Sequence, residues 1–359
     1  MFSFLKRLAV FGIFLLAGLE LVFRTVVPAA EMPAGFQIAD YGIMALDQSH
    51  IREGHNSIGR LGRPRFRWRV NNFGFNSAYD YRTPSERDVP CAVVIGNSYV
   101  QGLYSDADEH LAGQLQEAMG GAAEVYNLGT SGMPLSQSPR VVAYARDTFA
   151  PDLIVVQAGF GSIKGSLRKN GLIPYCQQFV WKDEQLTTVP PSRFSVNKRN
   201  RLLRKSALVR YLYYNSNFDL GGQGNVQKAV HAETPLEDRS REWELAVARV
   251  LDEISELVPD TKILFVFDAN RNALYASGRA PERTEESYLL EAACRSRDML
   301  FVDMTAAFAR DYQIHRQKFN FEENYHWNPY GVGIVTREIV SRLESEGMLK
   351  LGKLAAQGR

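Results

Sequence analysis

Cysteine is scarce in this chain of 359 residues: Cys91, Cys176 and Cys294 lie far apart. Such spacing offers neither a zinc-ligand set nor a disulfide framework, and one bridge at most is available. A dominant charge is also lacking. Forty-two Lys and Arg stand against 40 Asp and Glu, a net charge of +2, whereas a nucleic-acid-binding domain carries a marked basic surplus, so no nucleic-acid partner is expected. No Walker-type phosphate loop occurs, and no motif calls for a cofactor. His50, His55, His110, His231 and His315 show no paired metal-ligand spacing, so no metal is expected and surface positions are the default for them. What remains is an ordinary globular composition, 45% hydrophobic and 23% charged, without repeats or low-complexity tracts.

Long hydrophobic runs are confined to the N-terminus. Lys6 and Arg7 precede an apolar stretch from Leu8 to Leu19, then Glu20, a short patch to Phe23, and Arg24. About 16 apolar residues broken by one acid is marginal for a membrane span of roughly 17 to 25. Residues 1–30 read as an uncleaved signal anchor. The alternatives are a signal peptide cut at the small residues after Pro28, Ala29 and Ala30, and a buried helix of the fold. With Lys6 and Arg7 held inside, the rest of the chain faces the periplasm or cell exterior.

Residues 31–86 read as an extended segment containing one patterned stretch. Arg63, Arg65, Arg67 and Arg69 alternate with Pro64, Phe66, Trp68 and Val70, the period of an edge strand with its guanidinium groups on one side. That face is either a solvated edge or an anion-binding strip for lipid headgroups or an acidic glycan. Asn71, Asn72 and Gly74 supply a turn after it.

From residue 87 to 348 the pattern alternates. CAVVIG (91–96), AEVYNLG (123–129), DLIVVQA (152–158), KILFVFD (262–268) and MLFVD (299–303) are apolar runs without polar alternation, as in strands buried on both faces of a parallel sheet. Helical patterns fall near 107–119, 135–149, 236–257, 284–296 and 330–346. Together they predict a three-layer α/β/α domain whose ligand crevice lies at the carboxyl ends of the strands. An insertion over 163–235 holds a hairpin or lid around PYCQQFVWKDEQLTTVPPSRF, then a basic, aromatic helix with Lys198, Arg199, Arg201, Arg204, Lys205 and Arg210, and a connection at Phe218–Gly224. Residues 349–359 read as a tail.

The chemistry concentrates at VVIGNSYVQG. Ser98 follows a buried strand directly, so its hydroxyl and its own N–H both face the crevice, as nucleophilic acyl transfer requires; capping of the next helix is the competing reading. In NLGTSG, Asn127, Gly129 and Gly132 form a turn whose amides can approach a ligand. In ENYHWNPYG, His326 sits in a loop before a helix, with Glu323 three residues earlier, the parts of a base and its orienter. Asp268 and Asp303 end strands at the same edge and read as helix caps, with a substitute orienter for the histidine as the alternative. Tyr99, Phe160 and Trp327 flank the site as walls of an acyl or sugar pocket or as packing.

Over residues 85–346, GNSYVQG, NLGTSG, QAGFGS and ENYHWN, in this order, resemble the four blocks of the SGNH branch of the GDSL esterase and lipase family. The preceding VNNFGF is similar to a segment of its membrane-anchored bacterial members. The resemblance implies a flavodoxin-like five-stranded parallel sheet and an acyl-Ser98 intermediate. It implies an oxyanion hole of the Ser98 and Gly132 N–H groups, with Asn97 where the family more often has Asp. The family's third block, Gly-x-Asn-Asp, reads here as Gly159, Phe160, Gly161 and Ser162. A missing donor of this kind costs about a hundredfold in rate, unless the Gly161 N–H, the Ser162 hydroxyl or another residue replaces it. His326 becomes the general base with Glu323 as its acid. In polysaccharide O-acetylating members the acid lies two residues before a His-Trp pair, where this chain has Asn324. The implied activity is that of an extracytoplasmic, membrane-tethered esterase or acyltransferase on ester groups, O-acetyl above all, of an acylated envelope or exported glycan. An impaired glycan-binding or assembly domain and a lysophospholipase or thioesterase are the alternatives.

Overall fold

The structure, a computed structural model, describes residues 2–49, 52–183, 185–194, 204–216, 236–322 and 324–348, without the side chains of 2 and 236–240. Outside these lie His50, His231, Glu323, the cations Lys198, Arg199 and Arg201, the Phe218–Gly224 connection and the tail. An apolar helix, α1 (Phe2–Thr25), opens the chain, and its 18-residue apolar window is entirely unburied. Two antiparallel hairpins follow, β1 (Gly35–Ile38) with β2 (Ile43–Leu46), and β3 (Glu53–Ser57) with β4 (Arg65–Arg69).

The segment predicted as one edge strand is thus two hairpins. The period of two marked β4, but β3, with Glu53, His55 and Asn56, has no apolar face to announce it. In β4, Phe66 and Trp68 are buried while Arg65 and Arg67 are exposed, as the alternation required. Arg63 lies before the strand, and Arg69 turns to Asp80 at 2.7 Å. Beyond β4, the Asn71 side chain accepts from the N–H groups of Phe73 and Phe75. The chain then packs into the main core through Phe75 and Tyr81, the latter stacked on Tyr126 at 4.1 Å.

The central sheet joins β5 (Cys91–Ile95), β6 (Glu124–Asn127), β7 (Leu153–Ala158), β10 (Lys262–Phe267) and β11 (Leu300–Asp303), all parallel, in the order β11-β10-β7-β5-β6. Counted along the chain, that order is 2-1-3-4-5, the flavodoxin-like arrangement with its crevice at the switch between first and third strands. The five strands coincide with the five apolar runs because a sheet covered on both faces needs no polar residue at alternate positions.

Helices cover both faces. One side carries α4 (Ser138–Phe149), α7 (Leu236–Leu257) and α9 (Glu285–Arg295); the other carries α3 (Leu111–Ala118), α10 (Met304–His315) and α11 (Pro329–Ser345). Short helices α2 (Ser98–Gln101), α5 (Phe160–Ser166) and α8 (Arg271–Ser277) start at strand ends. The insertion supplies the hairpin β8 (Gln178–Lys182) with β9 (Gln185–Val189), and a short helix α6 (Ala207–Arg210) continued by one π-type turn to Asn215. A small hairpin, β12 (Asn320–Phe321) with β13 (Asn324–Trp327), precedes α11.

One histidine departs from expectation. His110 is buried, its Nδ1 accepting from the Gly113 N–H to cap α3 and its Nε2 bonded to the Asn76 carbonyl. Burial pushes its imidazole down to about 4. A histidine in a run of Asp and Glu looks solvated; only the fold reveals that it starts a helix.

Candidate active site

Ser98 stands where β5 gives way to α2. Gly96 permits this turn: a side chain there would press a Cβ to 2.5 Å from the Val100 methyl and 3.0 Å from Gln157. Asn97, not Ser98, caps α2, its Oδ1 accepting from the Tyr99 N–H at 3.0 Å. The Ser98 hydroxyl is therefore free of capping duty, on a residue that is partly exposed.

His326 reaches it from the other end of the chain. Its Nε2 lies 2.6 Å from Ser98 Oγ across 228 positions. Its Nδ1 meets the Oδ1 of Asn324, the residue two earlier. Residues two apart on a strand share a face; on β13 this puts Asn324 beside the ring. The His326 main-chain N–H also donates to that Oδ1, at 2.9 Å. This bond demands an oxygen, so it fixes which end of the amide faces the imidazole. The ring's Nδ1–H then donates to Oδ1, and Nε2 is left bare to accept the serine proton.

No carboxylate contacts His326 among the described residues, and Arg271 is the neighbouring ion. Burial, reinforced by Arg271, pushes His326 down to about 4. Two tyrosines enclose the ring, Tyr104 stacked at 4.6 Å and Tyr99 tilted at 4.9 Å.

Arg271 is 7% exposed and donates to the Tyr325 carbonyl at 2.7 Å, the Tyr99 hydroxyl at 2.9 Å and Asp268 at 3.0 Å. Asp268 in turn accepts from Trp327 Nε1 at 3.0 Å. Contacts to Tyr325 and Trp327 grip β13 on both sides of His326. Asp268, predicted as a helix cap, is thus a fastener of this strand, and Asn270 caps α8. Asp303 does cap, accepting from the Thr305 N–H. Tyr104 and Arg271 escaped the sequence reading. The one local hint for Arg271 was an acid three residues earlier at a strand's end.

The other predicted positions gather at the same edge. Gly129 packs so tightly that a Cβ would lie 2.3 Å from the Gln101 nitrogen, and Gly132 has φ +72°, a backbone that suits glycine. Gly161 lies in the first turn of α5 and Ser98 in that of α2, where N–H groups have no carbonyl of their own helix to meet. A Cβ at Gly161 or Gly132 would meet nothing within 4 Å. Asn97 Nδ2 lies 3.4 Å from Ser162 Oγ, joining the first block to the third. Trp327 packs on Tyr99 and is buried, while Phe160 is 48% exposed. All three cysteines are free and buried, and no group of three or more metal-binding side chains occurs among the described residues.

No protein-family model matches the chain, and no curated protein does. Solved structures similar to it include a two-domain esterase active on acetylated mannans (12% identity over 74% of this chain and 51% of that one, TM-score 0.40). Others are an acetyl xylan esterase of Butyrivibrio proteoclasticus (11%, 74% and 67%, TM-score 0.38) and a Bacillus subtilis protein (10%, 73% and 58%, TM-score 0.44). The chain spans about half the length of the two-domain esterase.

Proposed function

We propose that the chain is a serine acyl-transfer enzyme of the SGNH class, with Ser98 as nucleophile. Within that class the reading is an esterase or O-acyltransferase acting on ester groups, O-acetyl first, of an envelope or exported glycan. The substrate follows from the sequence resemblance and from the apolar helix α1, read as an anchor that leaves the domain in the periplasm or outside the cell. The observation that carries the chemistry is the 2.6 Å contact between Ser98 Oγ and His326 Nε2.

In the proposed reaction His326 Nε2 takes the Ser98 proton as Oγ attacks the acyl carbonyl. The N–H groups of Ser98 and Gly132 supply the oxyanion donors, that of Gly161 is a residual third that falls short of the family's Asn side chain, and the Asn97–Ser162 contact holds the first and third blocks together. His326 then delivers its proton to the departing alcohol. Water or a sugar hydroxyl, deprotonated by the same Nε2, attacks the acyl-serine and restores the hydroxyl. Asn324 orients the ring and selects its tautomer. Lacking a charge, it contributes less to the imidazolium than a carboxylate would.

Fluorophosphonate labelling of the full chain tests this. An adduct on Ser98, absent from Ser98→Ala and His326→Ala, is expected, together with a loss of ester turnover of about 10⁴-fold or more in Ser98→Ala. A folded chain that takes no label, turns over no ester and still binds glycan establishes the impaired-domain reading instead.

A further inference from the structure

The site described above leaves one patterned region unused, the β3–β4 hairpin. At its tip Leu61 is 75% exposed, more than any other large apolar side chain described. Arg60 and Arg63 flank it, and Arg65 and Arg67 continue along the outward face, all exposed. Among the described residues only Arg69 of this row is paired, with Asp80 and Glu53. An apolar tip ringed by unpaired guanidinium groups suits a bilayer surface, where the apolar residue enters the acyl boundary and the cations meet phosphates. A soluble acidic polymer would engage the cations and leave Leu61 without a partner.

The hairpin tip lies beside the end of α1. Tyr211 stacks on Phe23 of α1 at 3.9 Å and donates its hydroxyl proton to the Arg60 carbonyl at 3.0 Å. Gly62 is packed so closely on Pro28 that a Cβ would lie 2.5 Å from its carbonyl oxygen. Asn215 joins the Ala30 N–H at 3.0 Å to Ser57 Oγ and the Gly59 carbonyl, both at 3.1 Å.

Height is set by Glu20. Its carboxylate accepts from Ser206 Oγ at 2.7 Å, the Ala207 and Leu208 N–H groups at 2.8 and 3.0 Å, and Arg24 at 2.8 Å. Arg24 also donates to the Lys205 carbonyl. Lys6 and Glu20 are fourteen positions apart, about 21 Å of helix, short of a hydrocarbon core of about 30 Å. A bilayer spanned by α1 therefore draws Glu20, α6 bonded to it and the adjoining hairpin tip into the interface.

We infer that the hairpin tip Arg60–Arg63, extended by Arg65 and Arg67, is a membrane-docking surface for anionic lipid headgroups, with Leu61 inserted. The inference rests on the anchored reading of α1. The surface adjoins the active site: Phe66 on the hairpin's inner face packs on Phe321 at 5.1 Å, in the same small hairpin as His326. Docking thus holds the rim of the site at the bilayer surface.

The test uses the full chain in nanodiscs of phosphatidylcholine with or without phosphatidylglycerol. The three native cysteines are buried, so Leu61→Cys takes a polarity-sensitive fluorophore selectively, and Ile314→Cys, equally exposed at 74%, is the control. The Leu61 label shifts to the blue and is quenched by lipids carrying shallow nitroxides; the Ile314 label stays aqueous. Adding Arg60→Gln or Arg63→Gln lowers the inserted-to-exposed ratio about fivefold each, in phosphatidylglycerol discs only. An embedded chain whose Leu61 label remains aqueous overturns the docking surface alone. A blue shift given by soluble polygalacturonate but not by lipid also overturns it, in favour of a glycan site. A chain that alkaline carbonate strips from membranes overturns the anchor, and the docking surface with it.

Discussion

The two halves of the candidate site are built by different physics. On the serine side, Val93, Val94, Ile95 and Val100 are fully buried, and hydrophobic packing of a central strand fixes the turn that presents Ser98. On the histidine side, a hairpin of two short strands is held by Arg271, Asp268, Tyr99 and the Trp327 indole. Packing is continuous and tolerates no slack. A polar clamp has a few discrete fasteners, each of which can be undone singly.

That contrast is broken most forcefully at the clamp. Arg271→Met leaves Asp268 nearly buried without its cation, and removal of one partner from such a pair costs about 3 kcal/mol or more. Denaturant unfolding should show that loss, with ester turnover falling alongside it as β13 and His326 lose their fastener. If Arg271→Met matches the parent in both, the clamp is ornamental. Next in size, Gly161→Asn should raise turnover about a hundredfold, by filling open space at the third block with the donor whose absence costs that much. Unchanged kcat with unchanged folding would show that main-chain amides already complete the hole.

Asn324→Asp sharpens the histidine side. A carboxylate there stabilises the imidazolium, so turnover should rise about tenfold, one pKa unit's worth of interaction. The acid limb of the rate profile should also move upward from about 4, because His326 must be neutral to act as base. A limb already near 6.5 in the parent chain contradicts the burial described for His326.

The smallest effect concerns acid stability. His110 and His326 are both pushed down to about 4 in the folded chain, against about 6.5 when unfolded. Between those values the unfolded state binds more protons, so stability falls as pH is lowered through the window. The urea midpoint should be lower at pH 4.5 than at pH 7.5, and His326→Gln should flatten part of that slope. An identical slope in the variant would assign the whole effect to other groups.

The same contrast governs how much could be read from sequence. Each strand of the central sheet was visible because burial on both faces leaves a run of apolar residues, and Ser98 was visible because it ends such a run. His326 was reachable through ENYHWN; Glu323, the acid expected to orient it, lies outside the described residues, and the neighbour placed on its Nδ1 is Asn324. The strand period of β13, which a loop does not have, puts Asn324 on the ring's face. Tyr104 left no local trace and Arg271 only the acid three residues before it, since their other partners lie far off in the chain and such contacts impose no periodicity. His110, surrounded by acids, was hidden for the converse reason: its burial is decided by Asn76, more than thirty positions away.

The chain leaving α1 has no loose stretch. Glu20 is bound to α6, and the Ala30 carbonyl accepts from the Arg210 side chain at 3.1 Å. A catalytic domain on a flexible leash searches a volume set by its linker, and its effective concentration towards a nearby ester depends on that length. One clamped at both ends of its exit searches nothing. On the anchored reading, the acyl donor and the acceptor must be delivered to a stationary serine, so throughput would be governed by whatever presents them and not by the enzyme's own excursions.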